Sequence, residues 1–318
     1  MRWYEHKYHT PFALRFVFLT IPRIPRFFHP AIAVVTAGIF FCLLGKERRA
    51  VFSNLRHIAP RSAIRIWWTA YRVFYSFCDF MVSYCFVPGA TDEQLLAMLG
   101  GNSRGEAKID ACLRTGKGLI VWTAHLGNWE FASRLLELHG VKVNVARVVE
   151  RNQPAEAALR DLMKNDRLNI VELNDDPLAS VRLLHALREN EIVAIQGDRV
   201  YQGHGAAARF FGEEMRFPLG PFILAYFSGA PVLPGFVVRE RWLRYRVILG
   251  EPIEVSRSVD RDRCLRAALQ QAVAFLESNV RVYDHQWLNF FDLWAAQKPA
   301  AADRAPRIDS ESRCAHAD

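Results

Sequence analysis

The chain has 318 residues, enough for one large domain or two small ones with a hydrophobic core of normal size. Hydrophobic residues make up 51% of it and charged residues 23%, which excludes an intrinsically disordered or fibrous chain. The formal net charge of +8 indicates an anionic partner, such as nucleic acid, acidic lipid, a phosphorylated substrate or an acidic carrier protein. The 22 phenylalanines and 8 tryptophans cluster near hydrophobic stretches, which favours a membrane surface over nucleic acid.

The six cysteines are not spaced as metal ligands. No two of them have CxxC spacing, and no group of cysteines and histidines has the spacing of a zinc site. We therefore expect reduced, mostly buried thiols in a cytoplasmic chain, and we expect no metal or other cofactor.

The N-terminal region predicts a segment that contacts a membrane. Residues 1–30 are basic and aromatic, and residues 31–44 form a run of 14 without a charge. A transmembrane helix needs about 20 apolar residues, so this run is short for one. Basic residues on both sides predict an interfacial or re-entrant segment with both ends in the cytoplasm. The alternatives are a helix that spans the bilayer and a buried core helix.

Residues 61–87 predict a helix with one narrow polar stripe. Its polar residues follow one another at steps of three or four, which is the spacing of one helix face. These residues are Arg61, Arg65, Thr69, Arg72, Ser76, Asp79 and Ser83. The other faces are aromatic or aliphatic, so this helix needs apolar cover on several sides. It is either a central core helix or a helix in the lipid interface.

From about residue 90 onward, short hydrophobic runs alternate with amphipathic segments. The predicted strands are 118–125, 141–149, 169–173, 191–198, 230–238 and 245–253. The predicted helices are 91–100, 108–114, 129–140, 154–167, 176–190, 218–229 and 260–280. This alternation predicts an α/β fold with a mixed, largely parallel sheet flanked by helices. We divide the chain into a membrane-associated helical segment (1–88), an α/β domain (89–297) and a disordered tail (298–318).

His125 is the clearest candidate for chemistry. It ends a buried strand, and the carboxyl ends of strands are where ligands bind in open α/β sheets. Glu130 follows five residues later, in the first turn of a predicted helix, where a turn can bring it to the imidazole. A carboxylate beside a histidine fixes its tautomer, and the histidine can then take a proton from a hydroxyl. The alternative is a hydrogen-bonded loop histidine without a catalytic role.

Residues 101–105 match the GxSxG pattern of a hydrolase nucleophile, with Ser103 at its centre. That motif needs a strand before it and a helix after it, and here no apolar strand precedes it. We therefore do not expect Ser103 to be catalytic. Without a nucleophile of this kind, His125 would activate the acceptor directly, with no acyl-enzyme intermediate.

Several blocks of the sequence, in order, resemble one family. They are KERRAVFSNLRHIAP (46–60), GKGLIVWTAHLGNWE (116–130), ARVVERNQP (146–154), EIVAIQGD (191–198), residues 208–236 and HQWLNFFDLW (285–294). The His-x4-Glu block resembles that of the lysophospholipid acyltransferase superfamily, and HLGNWE is similar to the bacterial late acyltransferases of lipid A biosynthesis. The resemblance covers about residues 10–295.

The resemblance implies transfer of a fatty acyl chain to a hydroxyl of a membrane glycolipid. The donor would be an acyl carrier protein thioester or acyl-CoA, and the leading acceptor would be a lipid A precursor. In these terms His125 is the base, Glu130 orients it, and Arg147 binds a phosphate of the donor or acceptor. Asp198 faces the same crevice and could pair with Arg147, and Asn128 with the turn N–H groups could stabilise the oxyanion. The implied location is the cytoplasmic face of the bacterial inner membrane.

Other hypotheses remain open. Relatives of the family acylate mannosylated inositol lipids and products of aryl polyene pathways, so the acceptor could be another envelope lipid. A lipid hydrolase could use the same His–Glu pair on water, and a non-catalytic lipid-binding protein could keep the scaffold. No nucleic-acid partner is expected, because the basic residues match no known nucleic-acid module.

The C-terminal half also contains a basic region. Its arginines are Arg239, Arg241, Arg244, Arg246, Arg257, Arg261, Arg263 and Arg266. They predict either a solvated face or a docking site for an acidic carrier protein or anionic headgroups.

Overall fold

Six of the strands form one sheet in a computed structural model, which describes residues 20–100, 105–148, 168–173, 178–200, 205–257 and 260–297. In chain order the strands are β1 (Leu119–Thr123), β2 (Val143–Arg147), β3 (Leu168–Glu172), β4 (Ile192–Gln196), β5 (Ala206–Phe210), β6 (Glu213–Phe217), β7 (Val232–Arg241) and β8 (Arg244–Leu249). The six-stranded sheet has the order β3-β2-β4-β1-β7-β8. Its neighbours pair in parallel except β7 and β8, which form an antiparallel hairpin. The mixed, largely parallel sheet is therefore confirmed.

Helices cover both faces of this sheet. In chain order they are α1 (His29–Leu43), α2 (Gly45–Ile58), α3 (Ala63–Tyr84), α4 (Asp92–Met98), α5 (Glu106–Leu113), α6 (Trp129–Leu136), α7 (Ala179–Arg188), α8 (Gly220–Ser228), α9 (Arg261–Tyr283) and α10 (Leu293–Gln297). The strands β1 and β4 are rich in Val and Ile because both of their faces are covered. Side chains from α5 and α6 pack on one face, and those from α7, α8 and α9 pack on the other.

Two predictions fall on residues that the structure does not describe. The predicted helix at 154–167 and the predicted tail at 298–318 both lie outside the described residues, as does Ser103. The structure therefore tests none of these three expectations.

The strands β5 and β6 form a separate hairpin that the sequence analysis did not predict. Its turn is Phe211–Gly212, where φ is +50° and +82°, as a tight two-residue hairpin turn requires. Phe210, Met215 and Phe217 point into the core. Each strand has only five residues and alternates buried with charged or exposed positions, so the signal for either strand is short.

Helix α1 packs along α3 through one stripe of its surface. His29, Ala33, Ala37 and Phe41 recur every fourth residue and are all buried. The remaining face of α1 and the start of α3 are exposed, and we call this exposed set the apolar outer surface. It consists of Val34, Val35, Ile39, Leu43, Ile64, Trp67 and Trp68. The stretch Arg26–Leu43 is also long and apolar enough to cross a membrane, by length and composition.

Helix α3 is exposed at its start and buried in the core toward its end. Its first turns expose Trp67 and Trp68, whereas the C-terminal part of its polar stripe is buried against the α/β core. There the carboxylate of Asp79 accepts from Arg239 Nε at 2.7 Å. The N-terminal helices and the sheet thus contribute to one hydrophobic core.

Candidate active site

The turn after β1 places His125 at the carboxyl end of the sheet. Gly127 has a φ of +75°, and a Cβ atom there would lie 2.0 Å from the carbonyl oxygen of Val237. The next residue, Asn128, donates its backbone N–H to that same carbonyl at 2.7 Å. The turn therefore requires glycine at position 127 and is held tightly against β7.

The carboxylate that contacts the His125 ring belongs to Asp198. The Nδ1 atom of His125 lies 2.8 Å from Asp198 Oδ1, and the His125 backbone N–H donates to Asp198 Oδ2 at 3.2 Å. The sheet register explains this geometry, since Thr123 of β1 pairs with Gln196 of β4, each two residues before the site residue. Asp198 is completely buried. The expected orienting partner was Glu130, and the structure assigns that contact to Asp198 instead.

Glu130 lies instead beside Arg147. Their closest side-chain atoms, Glu130 Oε1 and a terminal nitrogen of Arg147, are 3.6 Å apart, and Glu130 is buried. Burial raises the pKa of Glu130, and the Arg147 guanidinium opposes that rise. The expected pairing of Arg147 with Asp198 is therefore corrected, because Arg147 ends the neighbouring strand β2 and reaches α6.

Asn128 is held as the cap of α6. Its Oδ1 accepts the backbone N–H of Phe131 at 2.9 Å, and its Nδ2 donates to Ser83 Oγ at 2.9 Å and to Tyr245 OH at 3.3 Å. Both amide hydrogens are thus used inside the protein. The expectation that Asn128 stabilises an oxyanion is corrected, since its side chain joins α3, α6 and β8.

Three side chains that sequence reasoning missed complete the surroundings of Asp198. Trp287 Nε1 donates to Asp198 Oδ2 at 3.1 Å, and Asn289 Nδ2 lies 3.5 Å from the same oxygen. Arg199 donates to Asn289 Oδ1 at 2.9 Å. The HQWLN block is one of those that carry the family resemblance, but nothing in the sequence connected this segment with Asp198.

These surroundings set the protonation of His125 and Asp198. Burial and the nearby charge of Arg199 lower the pKa of His125, and Asp198 only partly opposes them. Burial alone would raise the pKa of Asp198, but His125 and Arg199 hold it well below its usual range. At neutral pH the pair is therefore a carboxylate and a neutral imidazole, which is the state of a general base.

A cavity of about 550 Å³ lies between the sheet and the helices α5 and α6; the residues that line it include neighbours of His125 and Asp198 but not these two side chains. Its polar end carries Thr123, Glu130, Arg147 and Gln196, at the carboxyl ends of β1, β2 and β4 and the start of α6. Its walls are mostly apolar and include Ile109, Val121, Leu136, Val145, Leu168 and Leu249. Trp129 lines the cavity too, and its ring centroid is 5.2 Å from that of His125. Trp129 thus connects His125 with this mostly apolar cavity.

Comparison with known proteins decides the family. Residues 6–296 match the bacterial lipid A biosynthesis acyltransferase family. The chain belongs to this family. The resemblance drawn from the sequence blocks is thereby confirmed.

Curated relatives of the chain carry a different acceptor in their names. A phosphatidylinositol mannoside acyltransferase of Mycobacterium tuberculosis (strain CDC 1551 / Oshkosh) is 30% identical over 209 residues, covering 64% of this chain and 61% of the relative. One of Mycolicibacterium smegmatis is 30% identical over 129 residues, covering 39% of this chain and 41% of the relative. The chain thus spans about 61% of the length of the first of these relatives.

In this member of the lipid A acyltransferase family, Arg239 of the predicted basic region lies largely inside the protein. The Arg239 side chain is mostly buried, pairs with Asp79 and lies 4.9 Å from the Tyr75 ring centroid. Arg244 donates to the Ala97 carbonyl. Arg239 is thus an internal residue that ties β7 to α3, and a docking role for it is not supported.

The described residues hold no group of three or more His, Cys, Asp or Glu side chains suited to a metal ion.

Proposed function

We propose that the protein transfers a fatty acyl chain from a thioester donor to a hydroxyl of a membrane glycolipid. The observation that carries this proposal is the 2.8 Å contact between His125 Nδ1 and the buried Asp198 carboxylate; Trp129, whose ring contacts that of His125, also lines a mostly apolar cavity. A neutral histidine held by a carboxylate suits proton removal from a hydroxyl. An apolar cavity suits a fatty acyl chain.

In the proposed reaction the acceptor is activated directly. Asp198 accepts a hydrogen bond from the Nδ1–H of His125 and stays ionised, so that Nε2 is free to take the proton of the acceptor hydroxyl as its oxygen attacks the thioester carbonyl. The tetrahedral intermediate then collapses, the C–S bond breaks, and the imidazolium returns the proton to the departing thiolate. The products are an acyl ester and a free thiol, and no acyl-enzyme forms.

Arg147 is proposed to bind a phosphate of the donor or the acceptor. Its side chain is about one-third exposed at the polar end of the cavity, while Glu130 holds it from the buried side. Arg147→Met is expected to raise the KM of one substrate about 10- to 100-fold, the range of a hydrogen bond to a charged group, and to change kcat much less. Initial rates with donor and acceptor varied separately measure this.

The matched control for that variant is Glu130→Gln. This variant keeps the Arg147 guanidinium and gives it a neutral partner of the same size. Both KM values are therefore expected to stay near those of the wild type. Arg147→Met with both KM values unchanged would remove Arg147 from substrate binding.

We propose that the apolar outer surface lies in the membrane, on the cytoplasmic face of the bacterial inner membrane. Trp67 and Trp68 are 51% and 55% exposed, and tryptophan favours the interface. Replacing both with serine is expected to weaken sedimentation with phosphatidylglycerol-containing vesicles at least about tenfold, from the apolar area lost. Val282→Ser on α9, also at an exposed apolar position, is the control. Equal binding by both variants would place the membrane contact elsewhere.

The acceptor is proposed to be a lipid A precursor, as the family's description suggests. A phosphatidylinositol mannoside is the second candidate, because curated relatives carry that activity in their names. Membranes containing the protein would be given radiolabelled acyl carrier protein thioester or acyl-CoA with each acceptor in turn. Label in one glycolipid identifies acceptor and donor, whereas label released only as free fatty acid would contradict transfer and indicate a hydrolase.

A further inference from the structure

The segment from Asp284 to Leu293 crosses the back of the site, and we call it the C-terminal strap. Its Leu288 backbone N–H donates to the His125 carbonyl at 2.8 Å. Its Gln286 carbonyl accepts the Gly127 N–H at 3.0 Å, while the Gln286 side chain bonds both backbone groups of Arg239 at 2.8 Å. The strap thus joins the turn that carries His125 to the end of β7.

The strap also reaches the carboxylate behind His125. Asp198 directs Oδ1 to the His125 ring, whereas its Oδ2 accepts from Trp287 Nε1 at 3.1 Å and lies 3.5 Å from Asn289 Nδ2. Trp287, Asn289 and Asp198 are all buried, so no bulk water competes for these contacts. Donors on Oδ2 draw negative charge away from Oδ1, which is the atom that faces the histidine.

The strap is fixed from two further directions. Asn54 of α2 donates to the Phe291 carbonyl at 2.8 Å and to the Asn289 carbonyl at 3.2 Å, and it accepts the Leu293 N–H at 3.0 Å. Arg199 donates to the Leu288 carbonyl at 2.8 Å and to the Asn289 side chain. These three hydrogen bonds of the buried Asn54 fix the strap at the position where it contacts Asp198.

We infer that Trp287 and Asn289 are positioning residues that set how strongly Asp198 acts on His125, with Asn54 locking them in place. The inference rests on the proposed role of His125 as the base. The charged groups on the elements packed around His125 are Glu130, Arg147, Asp198, Arg199, Asp284 and His285. Among them, Asp198 is the carboxylate that bonds the ring, so a change in its charge distribution reaches His125 directly.

Two variants test the inference on the full-length protein in detergent. Trp287→Phe removes the indole donor and leaves more negative charge on Oδ1, so the imidazolium gains stability. Asn289→Asp keeps the side-chain shape but adds a second negative charge 3.5 Å from Asp198 Oδ2. Both changes are expected to raise the pH midpoint of His125, followed by NMR of histidine labelled at ring carbon and nitrogen, with His125→Gln assigning the signal.

Trp294→Phe is the matched control. Trp294 is a buried tryptophan just after the strap whose indole nitrogen has no acceptor within the described structure. Its replacement is expected to leave the His125 midpoint unchanged. Trp287→Phe is also expected to move the acidic limb of kcat to higher pH, in step with the raised His125 midpoint, with KM changed less than about twofold.

The outcomes separate the inference from the proposed function. A His125 midpoint raised in both variants relative to Trp294→Phe supports the inference. A midpoint that stays in place or falls in either folded variant overturns it, and Asn289→Asp decides alone if Trp287→Phe does not fold. Absence of acyl transfer by the wild type would instead overturn the function, while the titration would still report on the strap.

Discussion

Replacing His125 with glutamine is expected to lower kcat for acyl transfer by about 10⁴-fold, at the upper end of what a general base contributes. Glutamine occupies similar space in the turn but cannot take a proton from the acceptor hydroxyl. KM is expected to change little, because His125 acts on the reacting oxygen and the cavity is left intact. Initial rates with the donor and acceptor that the wild type uses give both constants.

The control for this variant is His57→Gln. His57 forms a comparable contact with a carboxylate, Glu213 Oε1, at 2.6 Å, but it lies on α2 and stacks on Trp294. It is expected to retain nearly full activity and a similar melting temperature. A His125→Gln protein with the same melting temperature and more than about a tenth of wild-type kcat would exclude His125 as the base.

Asp198→Asn is expected to lower kcat by about 10³- to 10⁴-fold, as for other histidine bases that lose their carboxylate. The amide can present a hydrogen to Nδ1 and stabilise the wrong tautomer, and it no longer stabilises the imidazolium. The thermal stability of the variant, compared with the wild type, shows whether loss of fold contributes.

In Asp198→Asn, the acidic limb of the pH profile is expected to move to lower pH. The neutral imidazole is the active form, and activity is lost as the pH falls through the pKa of His125. Burial and Arg199 lower that pKa, so the acidic limb of the wild type is expected below pH ~6.5, the ordinary histidine value. Asp198 opposes this lowering, so its replacement moves the limb to still lower pH. A limb that moves to higher pH would contradict the assigned pair.

Glu130→Gln separates this assignment from the one expected from sequence. Glu130 forms an ion pair with Arg147 in the structure and does not contact His125 through its carboxylate, so its replacement is expected to lower kcat less than about tenfold. A kcat loss for Glu130→Gln equal to that for Asp198→Asn would restore Glu130 as the partner of His125.

Strands β1 and β4 were predictable because each is a short apolar run, mainly of Val, Ile and Leu, between turn or helix signals. The run 118–125 covers β1, and the run 191–198 covers β4. Strand order and register were not predictable in this way, since they depend on contacts between distant segments. The hairpin of β5 and β6 was missed because charged residues interrupt both short strands.

His125 was predictable as a site residue because it ends a buried strand, but its partner was not. Glu130 is the near carboxylate in the chain, whereas Asp198 is 73 residues away and arrives through the parallel pairing of β1 with β4. Local spacing favours a neighbour in sequence, and a parallel sheet instead aligns the ends of separate strands. Arg147 lies at the end of β2 and contacts Glu130 because the strand ends are aligned in the same way.

The residues that hold the His125–Asp198 pair in place could not be predicted from the sequence, for a related reason. Asn54, Asp198 and Asn289 lie on three separate segments, and each looks like an ordinary polar residue in its own segment. Only the fold shows that their side chains are buried together and hydrogen-bonded in a chain that ends at His125. The same is true of Asn128, whose Oδ1 caps α6 while its Nδ2, the donor that an oxyanion would need, donates to Ser83 and Tyr245.

Direct transfer at the His125–Asp198 pair can be tested by a quenched turnover with radiolabelled thioester donor. Wild type and His125→Gln would be stopped at short times, and label would be measured in glycolipid, protein and free fatty acid. We expect label to enter the glycolipid with the wild type only, and the protein to carry no acyl group. Label bound covalently to the protein, or equal transfer by His125→Gln, would contradict direct transfer at this pair.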